Sequence, residues 1–128
     1  MKEIHFCRIC GTSYGIEDHH IIYRSQVKPL DKCPRNHAYL CHTHHRDHRK
    51  GVHFNKNLDK QLKLEFQNWL ESSFIKDYYD IEEIREILGI GLNAARSLCK
   101  MMYQKNGKYS RDEIIVTCMG GVLIVEGE

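Results

Sequence analysis

Two short pairs, Cys7-x-x-Cys10 and Cys41-x-x-His44, stand about thirty residues apart in a chain of 128. Thiolates and imidazoles at this spacing can each fill two corners of a zinc tetrahedron, and two such pairs tie together segments distant in sequence. The need for a staple is physical. Residues 1–57 carry few large apolar side chains, and so short a segment does not hold together by burial alone. A structural metal site contributes on the order of 10 kcal/mol of folding free energy. The spacing therefore predicts one tightly held Zn²⁺ on Cys7, Cys10, Cys41 and His44, clamping the first strand region to the start of a helix near Leu40. The competing reading is free buried cysteine beside a surface histidine. A redox Cys-x-x-Cys would require a strand and helix around it that the pattern lacks. Cys33, Cys99 and Cys118 fall outside the set and read as core or spare thiols.

Composition narrows the class. A chain of 15.1 kDa that is 41% hydrophobic and 28% charged suits one modest core or two small units. No apolar run approaches the ~20 residues of a membrane span. The opening "MKEIHFCRIC" lacks the apolar segment of a secretory signal, so a cytoplasmic location without membrane contact is expected, where disulfides are rare. The net charge of +2 conceals an asymmetry. Residues 1–57 hold ten Lys/Arg against five Asp/Glu; residues 58–128 hold nine against twelve. All nine histidines lie in the first 53 residues, so the basic, imidazole-rich half is the one suited to a polyanion.

The organisation reads as α+β in three segments. Residues 1–57 are rich in turn chemistry, with short strands expected around His19 to Tyr23. The string "LDKQLKLEFQNWL" puts Leu58, Leu62, Phe66, Trp69 and Leu70 on one face of a core-facing helix, the centre of a connecting segment 58–79. Residues 80–128 open on Asp80 as a helix cap with Glu83 three residues on; Ile81, Ile84 and Leu88 share a face, "LGIG" breaks the helix, and Asn93 to Met102 form the next. Ser110 caps a further short helix, and "GGVLIV" reads as a turn feeding a strand. This order suits a helix-turn-helix or small winged-helix-like unit, in which Asn93, Arg96 and Lys100 would face the major groove; packing or dimerisation is the competing role, favoured by the acidic balance.

With the zinc pairs assigned, His19, His20, His37, His45, His48 and His53 are among the histidines that remain. Neighbours on a strand point to opposite faces, so one ring of the pair in "EDHHII" can take a metal while the other faces a substrate. His45, next to the zinc ligand His44 on a helix, points away from the structural site. His5, His37 and His42 read as surface groups. Asp18 either orients His19 from behind or is a plain exposed carboxylate. Arg24, Lys28, Arg46, Arg49 and Lys50 are candidates for phosphate contact, with Arg24, Arg46 and Arg49 preferred.

The ordered set "CRIC…EDHHIIYRSQ…NHAYLCHTHH…GVHF", residues 5–57, resembles the HNH endonuclease family, whose zinc-stapled members cut DNA with a ββα-metal fold. The run "GVHFNKNLDKQLK" further resembles phage-borne members. The resemblance implies an HNH nuclease core over residues 1–57, His20 as the general base, and His19, His45 and His53 as ligands of a catalytic Mg²⁺, Mn²⁺ or other divalent ion. It also implies that Asn36 braces the loop bearing the base and that cleavage leaves 5′-phosphates. His44 stands where the family usually has a fourth cysteine, and the long step after His45 leaves His48 as a rival to His53. The expected partner is DNA, nicked or cut on both strands; the second outcome would favour a homodimer. The alternative is a zinc-stabilised DNA-binding protein without nuclease activity, and a third reading, a partner-binding protein using the helices of 58–128, leaves the histidines without a task.

Overall fold

The computed structural model describes residues 3–125, so residues 1, 2 and 126–128 of the two outer segments lie outside the described residues. The fold is mixed α+β with two small two-stranded sheets. Strand β1 (Ile16–His20) pairs antiparallel with β2 (His37–Cys41), in a register that sets Glu17 opposite Leu40, His19 opposite Ala38 and His20 opposite His37. The first strand thus ends at His20, short of the expected Tyr23. Asn36 explains the stop. Its buried amide accepts from the Ile22 amide (2.7 Å) and donates to the carbonyls of Ile22 and Leu30 (both 3.1 Å), pulling the chain into a turn.

Two 3₁₀ turns, Lys28–Leu30 and Pro34–Asn36, bring the chain back to β2. Helix α1 (His42–Arg46) follows β2 directly, so Leu40, expected to open a helix, is instead a buried strand residue. Helix α2 (Lys56–Ser73) is capped by Asn55, whose side chain accepts from the Leu58 amide at 3.2 Å. It buries Leu58, Leu62, Phe66 and Leu70, while Trp69 packs half-buried on Phe66.

The C-terminal segment runs β3 (Tyr78–Tyr79), α3 (Ile81–Leu88), α4 (Leu92–Cys99), β4 (Tyr109–Ser110) and α5 (Arg111–Cys118). The expected capping box is formed: Asp80 accepts from the Glu83 amide (2.9 Å) and Glu83 from the Asp80 amide (3.1 Å). Gly89 ends α3 at φ 69°, the left-handed conformation that favours glycine, and a Cβ there would stand 3.1 Å from Pro34 Cδ. Helix α4 stops at Cys99 rather than Met102. Ser110 caps α5 as expected, accepting from the Glu113 amide at 3.2 Å.

The strand expected after Gly121 is absent among the described residues. Ile124 instead exchanges two hydrogen bonds with the side chain of buried Gln67 (2.7 and 3.1 Å), an amide standing in for a partner strand. One buried cluster takes in Leu30, Leu40, Leu62, Leu70, Leu98 and Ile114, so the three segments share a core. Cys33, Cys99 and Cys118 lie in it; burial pushes all three thiols up, which makes them unreactive filler. Among the described residues no helix is long and apolar enough to cross a membrane.

Candidate metal centres

The knuckle at Cys7 and Cys10 is a tight turn in which the Gly11 amide donates to the Cys7 carbonyl (2.9 Å) and the Cys7 amide to the Thr12 carbonyl (2.7 Å). It docks on β2 through the Arg8 amide and the Tyr39 carbonyl (2.9 Å). Cys41 closes β2 and His44 lies in the single turn of α1, so the four donor atoms converge within 4.8 Å of one another. Cys10 Sγ lies 3.8 Å from Cys41 Sγ; His44 Nδ1 lies 3.3 Å from Cys41 Sγ and 3.6 Å from Cys7 Sγ. A tetrahedron with metal–sulfur bonds of ~2.3 Å and metal–nitrogen bonds of ~2.0 Å has edges of about 3.8 and 3.5 Å. The group can therefore hold a zinc-sized ion without rearrangement. Burial pushes the Cys7 thiol up, but amides of Cys10, Cys41 and Ile9 outweigh it and hold the group down at about 6, towards the thiolate a metal needs.

A second convergence lies across α1. His19 from β1, His45 from α1 and His53 from the loop before α2 bring one ring nitrogen each within 4.8 Å of the others. His45 Nε2 and His53 Nε2 are 3.1 Å apart, and His19 stands edge-on to both rings at centroid distances of 5.2 and 5.1 Å. Nitrogen ligands bonded at ~2.1 Å sit about 3.0 Å apart on an octahedral edge and about 3.4 Å on a tetrahedral one, so this separation suits a shared ion. His19 is 2% exposed, and its Nε2 is buried without any hydrogen-bond partner. A buried nitrogen without a partner, on a ring beside two further imidazoles, is a feature that an ion would account for. Burial first, then the rings of His45 and His53, lower His19 to about 4; burial and His45 lower His53 likewise. Both rings are thus kept in the neutral form that can ligate.

Local chemistry explains why these rings meet. Alternation along β1 puts Glu17 on the His19 side, where its Oε1 accepts from His45 Nδ1 at 2.8 Å. That bond fixes the His45 tautomer and leaves Nε2 to face its partners. Glu17 is held below the ordinary carboxylate range by His45 and by Arg46, whose guanidinium forks onto both carboxylate oxygens. His53 returns through a turn built on Asp47, whose Oδ1 accepts from the amides of Arg49 and Lys50, both at 2.9 Å. Gly51 makes the turn possible, since a Cβ there would meet the Asp47 carbonyl oxygen at 2.5 Å. The long step from His45 to the next ligand is taken up by this turn. His48 lies outside the group and packs on Phe54.

His20 points the other way along β1. Its Nε2 meets Asp31 Oδ1 at 2.8 Å and the Asp31 carbonyl at 3.2 Å, and its ring lies 4.5 Å from that of His37. Its Nδ1 has no hydrogen-bond partner among the described residues. His37, expected at the surface, is an enclosed bridge instead, with Nδ1 on both Asp18 oxygens (2.8 and 2.9 Å) and Nε2 on the Asp31 carbonyl (2.7 Å). Asp18 accordingly orients His37, not His19. His5 stacks on Tyr39 at 3.8 Å, and His42 remains largely exposed.

Of the cations singled out for phosphate, Arg46 is engaged by Glu17, Arg24 lies 3.8 Å from Asp31, and the Arg49 side chain is exposed. Sequence reasoning missed Glu17, Asp31 and His37. Glu17 carried a signal, the two-residue step to His19 on a strand; Asp31 carried none, because only the 3₁₀ turns bring it to His20. It also missed Tyr23, whose hydroxyl donates to Asp59 (3.0 Å) and whose ring lies against those of His19 and His53. No family model, curated protein or solved structure matches the chain.

Proposed function

We propose that this protein is a metal-dependent nuclease of the HNH type that hydrolyses phosphodiester bonds in DNA. The observation that carries the reading is the pairing of two differently prepared histidines on one strand. His19 is buried with an unpartnered Nε2 and has a ring nitrogen within ligand range of those of His45 and His53, and its neighbour His20 is anchored through Nε2 with Nδ1 unengaged. A plain DNA-binding module needs neither arrangement.

Hydrolysis needs an activated water, neutralisation of charge growing on the phosphate, and help for the departing oxygen. His19, His45 and His53 would hold a divalent cation such as Mg²⁺ or Mn²⁺, which supplies the second and third of these when bound. The first belongs to His20. With Nε2–H donating to Asp31, the lone pair is on Nδ1, and that nitrogen accepts the proton of the attacking water. The Asp31 carboxylate steadies the imidazolium that results. Asn36 keeps the turn after His20 in place through Ile22 and Leu30. Cys7, Cys10, Cys41 and His44 would hold a Zn²⁺ that fixes the β2–α1 junction and so the direction of His45.

The test is a supercoiled-plasmid assay on zinc-loaded protein. Nicked or linear product is expected with Mg²⁺ or Mn²⁺, and His20→Ala should lower the rate roughly 10²–10⁴-fold. Wild-type protein that binds DNA but never cuts it would leave the zinc-stabilised DNA-binding reading in place. Cleavage that survives His20→Ala would remove the assigned base.

A further inference from the structure

The C-terminal segment is acidic as a whole, yet its charges are sorted. Between Glu86 and Asp112 the chain has five Lys/Arg (Arg96, Lys100, Lys105, Lys108 and Arg111) and no Asp or Glu. Arg111 is engaged by the backbone carbonyls of Glu71 and Phe74. Helix α4 and its C-cap Lys100 set Asn93, Arg96, Ser97 and Lys100 at steps of three and four residues on one exposed face, and their side chains have no hydrogen-bond or ion-pair partner among the described residues.

The start of that face borders a cleft of about 410 Å³. Asn93 and Ser97 line one wall; Lys28, Lys32 and Asp31 line the other. Asp31 is the residue that anchors His20, so the cleft opens one side chain from the candidate base. The walls do not move independently. Helix α4 contacts the 3₁₀ turn Lys28–Leu30, with Leu30, Ala95 and Leu98 all fully buried in the shared core.

We infer that Lys28, Lys32, Asn93, Arg96 and Lys100 form a duplex-DNA contact surface continuous with the histidine site, and that this surface sets where the cut falls. Cations on both walls suit the sugar-phosphate backbone, and an exposed helix face bearing Asn and Arg suits base edges in the major groove. Because one core holds both surfaces, the bases touched by α4 and the bond beside His20 keep a constant separation. The positioning half of this inference rests on the nuclease reading; the binding half does not.

Binding is measured on the full zinc-loaded chain carrying His20→Ala, with a defined duplex, across a salt series. The double variants Lys28→Ala/Lys32→Ala and Arg96→Ala/Lys100→Ala should each weaken binding roughly tenfold and lower the slope of log affinity against log salt by about 2. Lys28→Arg/Lys32→Arg should keep the slope, and unchanged thermal melting in all variants separates lost contact from lost fold. Cut ends mapped for the otherwise wild-type chain on a long duplex should share a base preference at a fixed offset, which Asn93→Ala relaxes. Parental slopes in both double variants, or equal binding to single-stranded nucleic acid, would overturn the surface. Lost slopes with no cleavage by wild-type protein would keep the surface and overturn the nuclease and its positioning; parental slopes with active cleavage would overturn the surface and its positioning and keep the nuclease.

Discussion

At the scale of single residues, the two histidine roles are set by what stands behind each ring. Glu17 is behind His45, and its removal should loosen the ligand without touching the cysteines. Glu17→Gln is expected to weaken manganese binding at the three histidines about 10–100-fold while zinc content stays at one per chain, read by titration and metal analysis. His19 adds a pH dependence. Its folded value of about 4 lies below the ordinary 6.5 because burial, then His45 and His53, oppose the imidazolium. Between those values the unfolded chain takes up a proton that the folded chain refuses. The stability is therefore complete above pH ~6.5 and falls by about 3 kcal/mol as pH drops towards 4. Urea midpoints of wild type and His19→Leu, compared from neutral pH downward in the absence of added divalent ions, should show the wild type losing ground. A constant gap would mean that His19 is not desolvated.

At the scale of elements, the local rules and the long-range ones part company. Helices α2, α3 and α5 were readable because their signals are local in sequence: an apolar stripe from Leu58 to Leu70, a capping box at Asp80 and a serine cap at Ser110. The capping box makes a direct prediction. Asp80→Ala should cost about 1 kcal/mol in chemical denaturation, with the proposed DNA cleavage unaffected at temperatures where the protein stays folded. Strand β2 escaped local reading because His37–Cys41 is defined by its pairing with β1, and the two-residue strands at Tyr78 and Tyr109 are too short to show a period. The apolar run Val122–Val125 looked like a strand for the same reason in reverse: composition favours one, but Gln67 supplies the partner. In the site, the Cys7/Cys10 and Cys41/His44 pairs were visible as spacing, whereas His19, His45 and His53 as a set came only from the family resemblance, with His48 left as a rival to His53. The turn that chooses His53 over His48, and the anchoring of His20 by Asp31, depend on loop paths with no sequence period.

At the scale of the whole molecule, one core joins the histidine-rich segment to the helices after it, so Leu30 and Cys33 share their surroundings with Leu98, Ile114 and Cys118. Unfolding of the zinc-loaded protein should therefore be a single transition in calorimetry. A chelator strong enough to strip Cys7, Cys10, Cys41 and His44 should lower that transition for the entire chain; two separate transitions, one of them indifferent to chelator, would show the helices to be independent. The central claim is that the rings and thiols sort into two coordination spheres on either side of α1. Anomalous diffraction from zinc-loaded crystals soaked in manganese tests it most directly. Zinc is expected within bonding distance of Cys7, Cys10, Cys41 and His44, and manganese within bonding distance of His19, His45 and His53. A crystal in which His19 and His45 share no ion, or in which manganese settles elsewhere, would contradict it.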